Sequence, residues 1–307
     1  MNRNQWNILL AFAAVYVIWG STYLALKIGI QSLPPFLLSA LRFLTAGILL
    51  SGWCFLIKKE PWPLVKSTGQ SAVAGVLTLF GGTVSVAWAE QYISTSLAAI
   101  IVTAVPFWFV LLDKRQWSFY FSNKMIIAGL IVGFAGMFLL VGMEKTDANH
   151  SSGAHQLAGA LAVAAGGIAW TAGSLYSKYK RSESSLLVNV TIQMLAAGVF
   201  SMAASFFAGE WTGFFFASVT LYSWLALGYL VLVGSIVAFS CYLFLLKVKP
   251  PAQASTYVYV NPVVALLLGA LFVNEPITWI KVIALTTILC GVLLVNLPKY
   301  KTANELK

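Results

Sequence analysis

Residues 34–57 read PPFLLSALRFLTAGILLSGWCFLI, an apolar stretch interrupted by a single charged residue, Arg42. A transmembrane helix needs about 20 consecutive apolar residues, so this stretch is long enough to cross a bilayer. Its continuous apolar character favours a helix over a strand of a membrane barrel, which needs only about 10 residues of alternating polarity. The stretch therefore predicts a transmembrane helix that carries a charge in its interior.

The rest of the chain has a similar composition. Of its 307 residues, 60% are hydrophobic, 14% are aromatic and only 9% are charged, whereas soluble domains carry about 25% charged residues. This composition excludes a soluble protein and leaves no length for a separate soluble domain. We therefore predict an all-α membrane protein with ten transmembrane helices, near residues 7–30, 34–57, 68–90, 95–112, 124–143, 156–177, 186–208, 221–246, 251–273 and 279–297.

Basic residues are unevenly distributed among the connections between these runs. Alternate connections carry nearly all of the lysines and arginines, for example Lys58, Lys59 and Lys66, whereas the other connections carry only Lys145 and Lys281. By the positive-inside rule, this alternation predicts that both termini are cytoplasmic. The formal net charge of +10 is then explained by topology and anionic lipid headgroups, and nucleic acid is not an expected partner.

The two halves of the chain carry a common pattern. Trp19 and Trp170 are 151 residues apart, and each lies in the first long apolar run of its half. In the next run, the segment Arg42-Phe43-Leu44-Thr45-Ala46-Gly47 corresponds to Gln193-Met194-Leu195-Ala196-Ala197-Gly198 at the same offset of 151. The pattern indicates an internal duplication.

We therefore expect two five-helix units, residues 1–150 and 151–307. Because five is odd, the second unit enters the membrane with the opposite orientation, and inverted repeats of this kind are typical of transporters. Pro106 and Pro262 correspond at an offset of 156 and are expected to break their helices near the bilayer midplane. Substrate sites of such transporters form at that level, between the two repeats.

Short motifs indicate a family. The chain contains Ile18-Trp19-Gly20-Ser21-Thr22-Tyr23, then Leu41-Arg42-Phe43, and later Asn261-Pro262 and Asn274-Glu275-Pro276. In these motifs and their order, the chain resembles the EamA-type permeases of the drug/metabolite transporter superfamily over nearly all of residues 10–298. The resemblance implies a multi-pass carrier of the bacterial inner membrane, typically an exporter of amino acids or related metabolites that works by alternating access.

Three charged residues in the outer half of the predicted bundle each have two interpretations. Arg42 lies roughly 12 Å below the membrane surface, at 1.5 Å per residue, where a charge is costly. It either binds a carboxylate or phosphate of the cargo or pairs with Glu90 or with backbone carbonyls. Glu90 either carries a coupling proton or neutralises a nearby base, and Lys27 either belongs to this charge group or reaches the headgroups.

Aromatic and amide side chains inside the runs suggest a cavity, because binding pockets are mostly apolar with a few placed polar groups. Packing and helix association are the alternative role of each of them. The candidate substrate-binding residues are Trp19, Tyr23, Arg42, Trp88, Trp108, Trp170, Gln193, Tyr257 and Asn261.

Two other function classes compete with a carrier. A membrane enzyme would need clustered acids, metal ligands or an activated nucleophile, whereas His150 and His155 fall in one loop and Cys54, Cys241 and Cys290 are scattered packing residues. A channel would need rings of charge or of filter carbonyls. The sequence therefore predicts a non-enzymatic secondary transporter without metal or cofactor, with a channel-like facilitative permease as the alternative. Its expected partners are a small molecule, the bilayer and, as a candidate coupling ion, protons.

Overall fold

The computed structural model describes residues 3–93, 98, 101–142, 153–180, 182–261, 263–264 and 279–298. This part of the chain is helical and contains no strand, as the composition predicts. The helices are α1 (Arg3–Gly29), α2 (Pro35–Ser51, continued to Ile57 by a wider π-helical turn), α3 (Val65–Ala89), α4 (Val105–Leu112), α5 (Trp117–Ser122), α6 (Lys124–Gly142), α7 (Gly153–Tyr179), α8 (Leu186–Phe207), α9 (Leu221–Val248), α10 (Pro251–Ala254) and α11 (Trp279–Asn296).

Within the described residues, six helices are long and apolar enough to cross a bilayer, namely α1, α2 with its continuation, α3, α7, α8 and α9. The pair α5 and α6 would add a seventh, although the two helices meet at an angle of 92°. The predicted runs near residues 95–112 and 251–273 lie only partly within the described residues.

The start of α2 is held by a distant acid. Pro35 lies in the first turn of this helix, where the missing backbone N–H costs nothing. The next two N–H groups, of Phe36 and Leu37, donate to the Glu210 carboxylate at 3.0 and 2.8 Å. A negative charge at a helix N-terminus is favourable, so the loop that follows α8 is fixed to the beginning of α2.

Helices α2 and α8 pack at backbone distance and run antiparallel. A Cβ atom added to Gly47 would lie 2.7 Å from the Leu195 side chain, and one added to Gly198 would lie 2.7 Å from Leu44. Residue numbers thus rise along one helix as they fall along the other. Small residues allow such close approach between membrane helices.

Three further helix pairs are also antiparallel. Helices α6 and α11 meet where Gly136 packs against Ile288 and Gly133 against Gly291. Helices α1 and α9 are joined by a hydrogen bond between the Ser21 and Tyr229 hydroxyls and by one from the Ser223 hydroxyl to the Ile28 carbonyl. Helices α3 and α7 meet where Gly82 packs against Trp170 and Gly166 against Ser85.

These contacts define the two ends of the bundle. The distal end holds the C-terminal end of α1, the start of α2 and the start of α9, where Ser32 contacts Ser223. The proximal end holds the ends of α4, α7 and α9. There the Tyr179 hydroxyl donates to Asp113, and Lys178 donates to the backbone carbonyl of Lys249.

Candidate functional site

A cavity of about 120 Å³ lies in the middle of the bundle, between helices of both halves of the chain. Most of its wall is apolar, and the polar side chains are few, as in small-molecule sites. Six of the predicted site residues line this cavity: Trp19, Tyr23, Arg42, Trp170, Tyr257 and Asn261.

Four aromatic rings form a floor across the proximal side of this cavity. The Trp19 and Trp170 rings are 5.5 Å apart between centroids in an edge-to-face arrangement. Tyr257 lies 4.6 Å from Trp19, and Tyr242 lies 5.3 Å from Trp170. Edge-to-face pairs are favourable beyond the area that they bury, so the aromatic floor joins α1, α7 and α9 to the segment that follows α10.

Hydrogen bonds fix the orientation of the two indoles. Trp19 Nε1 donates to the Gly234 carbonyl at 3.1 Å, and Trp170 Nε1 donates to the Tyr242 hydroxyl at 3.0 Å. Ser174 also contacts that hydroxyl, at 2.8 Å. Buried indole N–H groups normally find a partner, and here each partner belongs to α9.

Two wider, π-helical segments contribute residues to the cavity wall. They are Val76–Val84 within α3 and Leu230–Val237 within α9. Such segments are frequent at functional sites. These segments supply wall residues that the sequence did not predict. The glycines of the two segments were the only feature of the sequence that could have indicated them. The missed wall residues from these segments are Leu79, Gly82, Thr83, Gly234 and Ser235.

Arg42 presents a buried positive charge to the cavity. Its Nε donates to Ser235 Oγ at 2.7 Å, and its guanidinium carbon lies 5.0 Å from the centre of the Phe43 ring. The side chain is only 8% exposed. In the described part of the chain, no acid lies within ion-pair distance of it, so the alternative of a structural ion pair with Glu90 is wrong for this conformation.

Two oxygens near the cavity are buried without a hydrogen-bond partner among the described residues. They are Asn261 Oδ1, in the cavity wall, and Glu90 Oε1, one turn beyond the wall residue Val86. Tyr23 lies close to both side chains. Lys27 is exposed and is the base that acts electrostatically on Glu90. The cavity therefore has an acceptor side as well as a cationic side.

Three residues that we expected in the cavity lie outside its wall. Gln193 is buried against α7, where its Nε2 donates to Ser177 at 3.4 Å. Trp88 packs on the Tyr92 ring, 4.9 Å away, and Trp108 lies beside the backbone of α7. The helices of Trp88 and Trp108 line the cavity with another face, through Val86 and Val105, whereas no residue of α8, the helix of Gln193, lines it.

The predicted helix-breaking prolines lie at a similar place in the two halves of the sequence. Pro106 is buried in the first turn of α4, next to the wall residue Val105, and a turn at residues 103–104 precedes this helix. Pro262, Lys145 and the motif Asn274-Glu275-Pro276 lie outside the described residues.

Comparison with known proteins supports the family resemblance. The EamA-like transporter family matches residues 5–142 and again residues 157–297. Over 291 residues, the chain is 38% identical to the uncharacterized inner membrane transporter YedA of Escherichia coli, covering 94% of this chain and 90% of that protein. It is 27% identical over 306 residues to the uncharacterized transporter YvbV of Bacillus subtilis, with coverages of 94% and 90%.

A solved crystal structure has a similar fold, with a TM-score of 0.75 at 21% identity over 96% of this chain and 98% of that chain. At this level of identity, the likeness concerns the fold alone. The family matches cover both halves of the sequence, and both relatives are named as transporters, YedA as one of the inner membrane. The chain therefore belongs to the EamA-like transporter family, within the drug/metabolite transporter superfamily.

Proposed function

We propose that this protein is a secondary transporter of the bacterial inner membrane that exports amino acids or related small metabolites through the central cavity by alternating access. The observation that carries this proposal is the charge of Arg42, which lines the cavity without an acidic partner in the described part of the chain. An aromatic floor lies beside it. A carboxylate with an apolar body fits both features.

The chemistry of arginine favours a carboxylate cargo. A guanidinium can bind a carboxylate through two parallel hydrogen bonds, and a buried charge is costly until a counter-charge is supplied. Ser235 fixes Nε, and the two terminal nitrogens have no acceptor among the described residues, so they are suited to such a contact. Asn261 Oδ1 is suited to accept a hydrogen bond from an ammonium or amide group at the other side of the cavity.

The proposed architecture is ten helices in two inverted repeats, residues 1–150 and 151–307. Its support is the double match to the family and the reciprocal contacts in which Gly47 meets Leu195 while Gly198 meets Leu44. Two units related by a twofold axis in the membrane plane would produce such reciprocal pairs.

We orient the proximal end toward the cytoplasm, together with both termini. The basic connections that hold Lys58, Lys114 and Lys249 support this orientation, because cytoplasmic connections carry an excess of Lys and Arg. In the conformation described, the cavity wall extends to Leu26 and Val86, on the distal side of the aromatic floor. Transport would require a second conformation in which the helices open on the proximal side.

Counterflow in proteoliposomes tests this proposal. Vesicles preloaded with single amino acids or related metabolites are screened for saturable exchange, and Arg42→Gln is compared with Lys66→Gln, which removes an exposed charge at the proximal end. Hydrogen bonds to charged groups contribute roughly 1.5–3 kcal/mol, so the KM for a carboxylate cargo should rise about tenfold or more in Arg42→Gln only.

Two outcomes would contradict parts of this proposal. An unchanged KM in Arg42→Gln would remove the guanidinium from cargo binding. Flux that neither saturates nor shows counterflow would instead support the channel-like permease, because a carrier binds cargo on each turnover whereas a channel does not.

A further inference from the structure

One buried carboxylate joins three elements at the proximal end. Asp113 follows α4 directly and is only 1% exposed. It accepts hydrogen bonds from the hydroxyl of Tyr179 at 2.6 Å, at the end of α7, and from the hydroxyl of Tyr120 at 3.0 Å, in α5. Hydrogen bonds to an ionised carboxylate are roughly twice as strong as neutral ones.

Neighbouring contacts extend this connection to α9 and α10. The Ala252 N–H donates to the Tyr120 hydroxyl at 3.5 Å. Lys178, next to Tyr179, donates through Nζ to the Leu246 and Lys249 carbonyls, both at 2.6 Å. These two carbonyls lie at the end of α9, where few backbone acceptors have helical partners, so the lysine satisfies groups that would otherwise be unpaired.

Two basic side chains lie near the Asp113 carboxylate. Lys178 and Arg115 both act electrostatically on the carboxylate, and the Arg115 guanidinium lies 4.5 Å from the centre of the Tyr179 ring. The pKa of Asp113 is nevertheless raised, because burial outweighs these bases and the two tyrosine hydrogen bonds. Loss of one hydrogen bond would therefore leave the buried carboxylate with fewer partners to offset the cost of its burial. The contacts around Asp113 are expected to form or break together for this reason.

The group lies between the aromatic floor and the proximal surface. Along α7, Trp170 belongs to the floor, and Tyr179 lies more than two turns further toward the proximal end. Along α9, Tyr242 belongs to the floor, and Leu246 lies one turn beyond it. A path from the cavity to the proximal end has to pass between these helices.

We propose that Asp113, Tyr120, Tyr179 and Lys178 form a proximal latch that keeps the cavity closed toward the cytoplasm and that separates when cargo enters from that side. This inference rests on the proposed transport function and on the orientation given above. Contacts present in one conformation only shift a two-state equilibrium by the free energy that they contribute, so weakening the latch populates the conformation that is open at the proximal end.

The test measures access to Ser174, which is fully buried beside Tyr242 between the aromatic floor and the proximal latch. Cys54, Cys241 and Cys290 are replaced by alanine, Ser174→Cys is introduced, and inside-out vesicles are treated with a membrane-impermeant thiol reagent. Tyr179→Phe and Asp113→Asn should each increase the labelling rate about tenfold, as expected for loss of a hydrogen bond to a charged group.

The matched control is Tyr222→Phe, which removes a hydroxyl from a tyrosine that is 75% exposed at the distal end. Its labelling rate should equal that of the parent. Equal rates in Tyr179→Phe and in the control would overturn the latch. The double variant Tyr179→Phe with Asp113→Asn should label no faster than the faster single variant, and multiplied effects would show independent residues and would also overturn it.

The labelling test depends neither on the folding of Asp113→Asn nor on the identity of the cargo. Tyr179→Phe removes one oxygen atom, so it carries the test even if Asp113→Asn does not fold. Labelling requires no cargo, so a failed amino acid screen with faster labelling would contradict the proposed cargo and leave the latch intact. Conversely, normal counterflow with unchanged labelling would overturn the latch alone.

Discussion

At the residue scale, the charges around the cavity are held apart in this conformation. Arg42 is bound to a serine hydroxyl, and Glu90 keeps one buried oxygen without a hydrogen-bond partner among the described residues. Tyr23 lies beside Glu90 and in the cavity wall. We propose that Glu90 exchanges a proton with the cavity and thereby couples transport to a pH gradient.

We predict that Glu90→Gln abolishes accumulation driven by a pH gradient and retains counterflow, because glutamine preserves the shape of the side chain and cannot exchange a proton. The measurement compares pH-driven flux and counterflow in the same proteoliposomes. Glu183→Gln, at an exposed position, is the control. If the pH dependence of transport is the same in Glu90→Gln as in the parent, Glu90 has no part in coupling.

At the scale of helices, close packing and wide helical segments shape the cavity together. The Trp170 side chain packs directly against Gly82, where an added Cβ atom would lie only 2.8 Å from the indole ring. The Gly234 carbonyl accepts the Trp19 indole in the other half of the chain. Both glycines lie in the π-helical segments, so each segment positions one indole of the aromatic floor.

The glycines between α2 and α8 give a prediction about stability. An added methyl group in Gly47→Ala or Gly198→Ala would lie 2.7 Å from a leucine side chain. Such overpacking should lower the free energy of unfolding of each variant by about 2 kcal/mol. Both variants should therefore unfold at lower temperature in detergent.

Gly228→Ala is the control for this measurement, because nothing lies within 4 Å of the position that its Cβ would occupy. This variant should unfold at or above the temperature of the parent, since alanine favours the helix more than glycine does. If Gly47→Ala and Gly198→Ala are as stable as Gly228→Ala, α2 and α8 are not held at backbone distance in the membrane.

At the scale of the whole molecule, antiparallel helix pairs bring the two halves of the chain together along their length. Arg42 in the first half contacts Ser235 in the second, and Trp19 contacts Trp170. The cavity is thus an interface between the halves, and relative movement of the halves would change its wall.

The proposed inverted topology predicts opposite labelling of two loops. The thiol introduced by Lys58→Cys should react with an impermeant reagent only in inside-out vesicles, and that introduced by Thr212→Cys only in intact spheroplasts. Both positions are exposed, and five proposed spans separate them, so they should lie on opposite sides. Labelling of both from one side would contradict the inverted repeat.

The sequence by itself determined the class of the protein and its family. Long apolar runs have to be helical in lipid, because only a helix or a closed barrel satisfies its own backbone hydrogen bonds there. The spacing of the repeat also pointed to Trp19 and Trp170 as corresponding residues, and the structure places their rings in contact.

Only the tertiary structure decided which aromatic and polar residues face the cavity. Trp88, Trp108 and Trp170 are the same residue type, but only Trp170 lines the cavity. The face that each helix turns toward the cavity depends on contacts with residues far away in the sequence, such as the packing of Gly82 against Trp170. The partner of Arg42 is likewise a serine 193 positions away. Which residue becomes the partner depends on which helices pack side by side. A single sequence gives the order of the residues along the chain and does not give these contacts between helices.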